Sequence, residues 1–170
     1  MRYAVSANLE VRRSARLILL DPAGRLLLLR YHDEHKPPFW STAGGELKSG
    51  ETYRDAAGRE LEEETGFDVA VGRLLRKRED VYAVARSQAA RWREQYFLVQ
   101  CERSAAPSRD GWTDEERSTI RNWKWWSLEE MRNGDAVFLP EWLPDLLAET
   151  LRLPVPRRDA NRKSGSDPDF

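Results

Sequence analysis

The feature that most limits this chain is a run of like charge that has to be helical. The stretch "GRELEEETGF", Gly58 to Phe67, holds Glu60, Glu62, Glu63 and Glu64 around a single Arg59, with Asp68 just beyond it. A helix is expected from about Thr52 to Thr65. Thr52 and Asp55 approximate a capping box, Gly66 is placed to end the helix, and Tyr53, Ala56, Ala57 and Leu61 give it an apolar side. On such a helix Glu60, Glu63 and Glu64 stand at i, i+3 and i+4 and share one face. Little positive charge relieves their repulsion, and they occupy the last two turns, where the helix dipole disfavours carboxylates. The pattern has two readings. One is a solvated acidic face, the usual meaning of a charge run; the other is a site for a hard divalent cation, held by oxygen ligands and shared with substrate phosphates.

The preceding loop bears on that choice. From Gly45 the chain runs five residues to Glu51, seven more to Arg59, Glu60 and Leu61, then one to Glu63 and Glu64, and one to Gly66 and the apolar Phe67. This resembles the signature of the Nudix hydrolase family at every specified position from Gly45 to Phe67, and that many fixed residues at fixed spacing make a specific signal. The resemblance implies an α/β/α sandwich with a mixed β-sheet. It also implies hydrolysis of a diphosphate linkage in a nucleoside diphosphate joined to another group, activated by Mg2+ or Mn2+.

Carried onto these residues, the resemblance places metal ligands at Glu60, Glu63 and Glu64, with the Gly44 carbonyl as a further one. Glu51 and Arg59 support them, since an arginine fork can hold a carboxylate in fixed orientation. Ala43 stands where many family members carry proline, a change in loop stiffness next to Gly44. The general base is open among Glu64 on the helix and Glu115 or Glu116 in the loop "GWTDEERS", with Glu116 slightly preferred. The same loop also reads as a short capped helix, with Thr113 and Glu116 as its capping box. Tyr82 lies about where the family's diadenosine polyphosphate hydrolases carry a tyrosine. Trp112, in a polar loop that gives it no obvious core, is the tryptophan expected to stack on a nucleobase. Arg30, like Arg16, Arg76, Lys77 and Arg78, is a candidate phosphate contact. His32 and His35 match no metal spacing and read as loop residues.

Composition narrows the class of protein. A chain of 170 residues suits one domain with a real core, expected over 1–153, with the polar, unpatterned 154–170 as a mobile tail. Charged residues make up 34% of the chain, but the formal net charge is −1, so nothing advertises a nucleic-acid partner. The single Cys101 excludes an internal disulfide and fits a reducing cytoplasm. No apolar run is long enough to span a bilayer. The expected partner is a small nucleotide, and a homodimer is compatible with the chain.

Apolar runs at Leu17–Leu20 and Leu26–Leu29 flank Asp21, Pro22 and Gly24 and read as a hairpin. A short strand at Phe39–Thr42 follows, then the acidic helix. Strands are expected at Asp68–Leu75, Trp92–Cys101 and the aromatic "TIRNWKWWSL", with helices from Leu128 and over Leu139–Leu151. The order points to a mixed sheet covered by helices, α/β or α+β. The function expected is that of a metal-dependent pyrophosphohydrolase. Its rivals are a house-cleaning nucleoside triphosphate pyrophosphatase and, from another class, a non-catalytic nucleotide-sensing module. A pure sensor has no need of all three glutamates. An isomerase on the same scaffold would need a cysteine-based centre that Cys101 alone does not make.

Overall fold

A strand whose successive residues are all apolar has to lie between two covering layers, and "LILL", Leu17 to Leu20, forms such a stretch. The computed structural model describes residues 8–152, so the expected tail at 154–170 lies outside the described residues. The elements are β1 (Val11–Leu20), β2 (Leu26–Asp33), β3 (Lys36–Ser41), β4 (Gly44–Glu46), α1 (Tyr53–Thr65), β5 (Leu74–Tyr82), β6 (Ala90–Gln100), α2 (Asp114–Thr119), β7 (Ile120–Trp126), α3 (Leu128–Asn133) and α4 (Leu143–Arg152). The strands form one seven-stranded sheet in the order β3-β2-β1-β6-β5, with β4 added to β1 and β7 to β2. β1 and β6 run parallel over ten residue pairs from Val11↔Arg91 to Leu20↔Gln100, whereas the other pairings are antiparallel. The fold is therefore α+β with a mixed sheet, as expected.

Side chains alternate across each central strand, so each face of the sheet has its own core. Leu17, Leu19, Leu27 and Leu29 pack under α1 against Ala56, Ala57 and Leu61. Ile18, Leu20, Leu26 and Leu28 pack on the other side against Met131, Leu143, Leu146 and Leu147 of α3 and α4. Each fully buried leucine contributes about 2 kcal/mol of hydrophobic stabilisation. α3 and α4 cover only the Ile18–Leu20 end of their face. Toward Arg12, Ser14 and Arg16 the same face opens into a cavity.

Several elements depart from the sequence expectation. The β1–β2 hairpin exists as a turn, with the Asp21 carboxylate accepting from the Ala23 and Arg25 amides at 3.0 and 2.8 Å. Its strands nonetheless part after Leu20↔Leu26, because β1 takes β4 and β6 as partners and β2 takes β3 and β7. The strand expected at Asp68–Leu75 begins only at Leu74 and continues through the polar "RKREDVY". That polar run is strand because it is an edge tied across to β6 by ion pairs, Glu79 to Arg91 and Arg93 and Arg78 to Glu94. The helix expected from Leu139 starts at Leu143. Residues 137–139 instead exchange backbone hydrogen bonds with Trp40, and the proline at 140 disfavours helix at the residue before it.

Candidate active site

The acidic helix forms as its sequence dictates, with both bonds of the Thr52–Asp55 capping box present and Gly66 closing it in the left-handed region at φ 69°. Arg59 organises the surface of α1 that faces β4. Its Nε and Nη2 grip the two oxygens of Glu51 at 2.6 and 2.9 Å, its Nη1 reaches Glu60 at 2.7 Å and Glu63 at 3.0 Å, and Nη2 also donates to the Glu46 carbonyl at 3.0 Å. The fork on Glu51, joined by the Lys48 amide, pulls that carboxyl down to about 2. Glu63 also stands 3.6 Å from Lys48 and is half exposed.

The carboxylates that come together are therefore not the helical trio read from spacing alone. Glu60, Glu64 and Glu116 each offer an oxygen, and these oxygens lie within 4.8 Å of one another. Glu63 stays on the flank with its two cations. Glu116 arrives from α2, where its carboxylate accepts from the Thr113 amide at 2.7 Å and closes the capping box expected there. The Glu116 carboxylate thus closes the cap and also lies beside Glu60 and Glu64. Glu115, beside it, is exposed and lines the cavity.

Two glycines let the backbone approach these carboxylates. Gly44 sits at φ +136° with its amide donating to Glu64 Oε2 at 2.8 Å, and a Cβ there would fall 2.2 Å from the Ala15 carbonyl oxygen. At Gly45 a Cβ would stand 2.3 Å from the Glu60 carboxylate. Burial pushes Glu64 well above the ordinary carboxylate range, with Glu60 adding to the effect, and burial raises Glu60 as well. Oxygen donors in a half-buried pocket, strained by their own like charge, are what a hard divalent cation takes, and such an ion would keep them ionised. The residues fit the group.

The loop before α2 is fastened to the acidic helix α1. Ser108 donates its amide to the Thr65 carbonyl at 2.8 Å, and a Cβ on Gly111 would sit 2.3 Å from the Glu63 carbonyl oxygen. Trp112 is 5% exposed, packed in the core under α1, and its indole N–H donates to the Glu64 carbonyl at 2.8 Å. The expectation that Trp112 stacks on a nucleobase is thus corrected. The loop looks polar, but its tryptophan closes the last turn of the helix whose free carbonyls need donors.

The cavity beside the carboxylates has a volume of about 690 Å³ and reaches from Glu64 and Glu116 across the open face of the sheet. Arg16 enters it from β1, donating to the Thr42 carbonyl at 2.8 Å and the Gly44 carbonyl at 3.3 Å. Tyr82 lines the cavity, stacked on Trp92 at 5.4 Å, with its hydroxyl donating to Glu94 at 2.8 Å. Arg30 is exposed and does not line the cavity. Sequence reasoning passed over Lys36, Tyr31 and Glu94. The signal for Glu94 was available in "WREQY", where Trp92, Glu94 and Tyr96 fall on alternate positions and a carboxylate shares a strand face with two aromatic rings.

Comparison with known proteins agrees with this geometry. The NUDIX domain profile matches residues 10–146. No curated protein matches the sequence significantly. Among solved structures, the MutT protein of Methanosarcina mazei Go1 superposes with a TM-score of 0.64 at 18% identity, covering 86% of this chain and 97% of that one. The dihydroneopterin triphosphate pyrophosphohydrolase of E. coli gives 0.55 at 19% identity over 73% of this chain and 86% of that one. A C. elegans Ap4A hydrolase gives 0.56 at 21% identity over 82% and 97%. The solved structures share the fold, and the profile match together with the acidic helix supports a hydrolase acting on phosphoric anhydride bonds. The chain belongs to the NUDIX domain family.

Proposed function

We propose that the protein is a divalent-cation-dependent pyrophosphohydrolase that cleaves a nucleoside diphosphate linked to another moiety by attack of water on phosphorus. The observation that carries this reading is the meeting of Glu60, Glu64 and Glu116 within 4.8 Å at one end of a cavity large enough for a nucleotide. Glu60, Glu63, Glu64 and the Gly44 carbonyl are the residues that would hold Mg2+ or Mn2+, with Glu116 next to them. When bound, such a cation neutralises phosphate oxygens and acidifies a water molecule. Glu116 takes the proton of the attacking water, with Glu64 and Glu115 as the other carboxylates in reach of the cavity. As the new P–O bond forms, the anhydride P–O bond breaks and a nucleoside monophosphate leaves with the second product. Arg59 and Glu51 keep Glu60 aimed; the Gly44 amide does the same for Glu64. The catalytic unit is the single domain within 1–153, and no helix among the described residues is long and apolar enough to cross a membrane.

The test is a phosphate-release screen with Mg2+ across dinucleoside polyphosphates, nucleotide sugars, ADP-ribose and nucleoside triphosphates, with Glu64→Gln as control. A hit that falls by two or more orders of magnitude in the control fits the reading and separates a linked diphosphate from a triphosphate substrate. Activity retained by Glu64→Gln would overturn the assignment of the carboxylates.

A further inference from the structure

The far end of the cavity is built around a buried carboxylate that has no room for a ligand. Glu94 is 1% exposed. Its Oε1 accepts from the Ser14 hydroxyl at 3.0 Å and the Tyr82 hydroxyl at 2.8 Å; its Oε2 accepts from Arg78 at 2.8 Å and the Tyr96 hydroxyl at 3.3 Å. An ionised carboxylate offers about four lone-pair positions, and all are taken. Glu94 therefore holds its neighbours in place and reads nothing.

What this end leaves unfilled is donors. Arg78 uses one N–H on Glu94 and another on Asp80 at 2.7 Å, also engages Tyr96, and lies 5.1 Å over the Tyr82 ring, so only part of its five N–H donors is left. Lys36 stands over Phe39 at 5.0 Å and Tyr82 at 5.6 Å, and its ammonium makes one long contact, 3.5 Å to the Ala83 carbonyl. Among the described residues Lys36 has no carboxylate partner. The aromatic rings are already occupied: Phe39 stacks on Tyr31 at 5.5 Å, and Trp92 carries Tyr82 at 5.4 Å and the Arg12 guanidinium at 4.6 Å. A neutral base would find few free ring faces there, whereas an anion would find an ammonium and a guanidinium with donors to spare. Asp33 also lines the cavity and pairs in strand register with Lys36, and Glu94 is spent on its own donors; the unfilled donors of Lys36 and Arg78 make this the cationic end, in the same cavity as Glu64 and Glu116.

We propose that this cationic end is an anion subsite in which Lys36, backed by Arg78, receives a phosphate of the substrate beyond the anhydride that is cleaved. The inference rests on the reading of the protein as a pyrophosphohydrolase and narrows its substrates to polyphosphorylated compounds, as against diphosphates capped by a neutral sugar. Lys36 is a specificity residue here; the chemistry stays with the glutamates.

The experiment compares the full chain with Lys36→Met, which keeps the apolar stem, and Lys36→Arg, which keeps the charge. For each, kcat/KM is measured on a nucleoside triphosphate, a dinucleoside polyphosphate and a nucleoside diphosphate hexose. In parallel, binding of inorganic tripolyphosphate is titrated calorimetrically without divalent cation. Loss of one charge-assisted contact in a partly buried site predicts that Lys36→Met lowers the polyphosphate-to-hexose ratio about tenfold through KM and weakens tripolyphosphate by a similar factor. Lys36→Arg restores both. An unchanged ratio with unchanged tripolyphosphate binding overturns the subsite, as does a wild-type protein that favours the neutral hexose. If the wild type hydrolyses nothing, the catalytic reading fails by itself, and the tripolyphosphate titration still decides for or against Lys36. Circular dichroism confirms that the variants are folded.

Discussion

Arg59 shows how one side chain converts a charge problem into geometry. The helix supplies more negative charge than it can tolerate, and a single planar fork draws Glu51, Glu60 and Glu63 into fixed positions around itself. The Glu51 carboxyl, pulled from the ordinary 4.5 to about 2, makes this pair a source of pH-dependent stability. Its folded pKa lies below its unfolded one, so its contribution is present above about 4.5 and is lost as pH falls toward 2. Acid titration followed by circular dichroism should show Glu51→Gln starting less stable at neutral pH and losing less stability than the wild type across that window. Trp112 acts at the other end of the helix. Trp112→Phe keeps most of the packing but leaves the Glu64 carbonyl without its donor, and urea unfolding should show a cost of about 1–3 kcal/mol.

At the scale of elements, α2 is a short helix with two jobs. Glu116 belongs both to its N-terminal cap and to the carboxylate cluster, so the stability of the cap and the aim of the cluster are coupled. Thr113→Ala removes a cap hydroxyl from this pair and should cost about 1 kcal/mol of stability. Because it also removes one of the two donors that hold the Glu116 carboxylate, leaving the backbone amide of residue 113, kcat should fall more than KM changes in a steady-state assay; a loss of stability with kcat intact would separate the two roles. The loop from Ser108 to Trp112 makes this coupling possible, since it ties α2 to the last turn of α1 through backbone and indole hydrogen bonds.

For the whole molecule, the fold brings carboxylates from α1 and α2 to one end of a cavity whose sheet wall carries Arg12, Arg16, Lys36 and Arg78 together with the paired carboxylates Glu46 and Glu94. A divalent cation that binds only the folded state should raise the melting temperature. At one hundred times its Kd the linkage amounts to about 2.7 kcal/mol. Differential scanning calorimetry with and without Mg2+ reads this directly, and Glu60→Gln should shrink the shift.

Local patterns determined a good part of this. The caps of α1 and α2 and the apolar runs Leu17–Leu20 and Leu26–Leu29 were legible, because each depends on neighbours within one turn or one strand, and the spacing that joins Gly45, Glu51, Arg59 and Glu60 was legible through its resemblance to a known signature. β5 was only partly legible, since a polar edge strand is held by ion pairs to β6 that no local periodicity records. Trp112 misled for the same reason: a ring in a polar loop looks free until the helix end it closes is in place. The choice of Glu116 over Glu63 in the cluster and the placing of Lys36 and Arg78 in the lining of the same cavity were decided only by tertiary structure. Sequence states which carboxylates share a helix face, but pairing of distant strands and docking of α2 on α1 determine which charges are brought within a few ångströms, where their interactions are strongest.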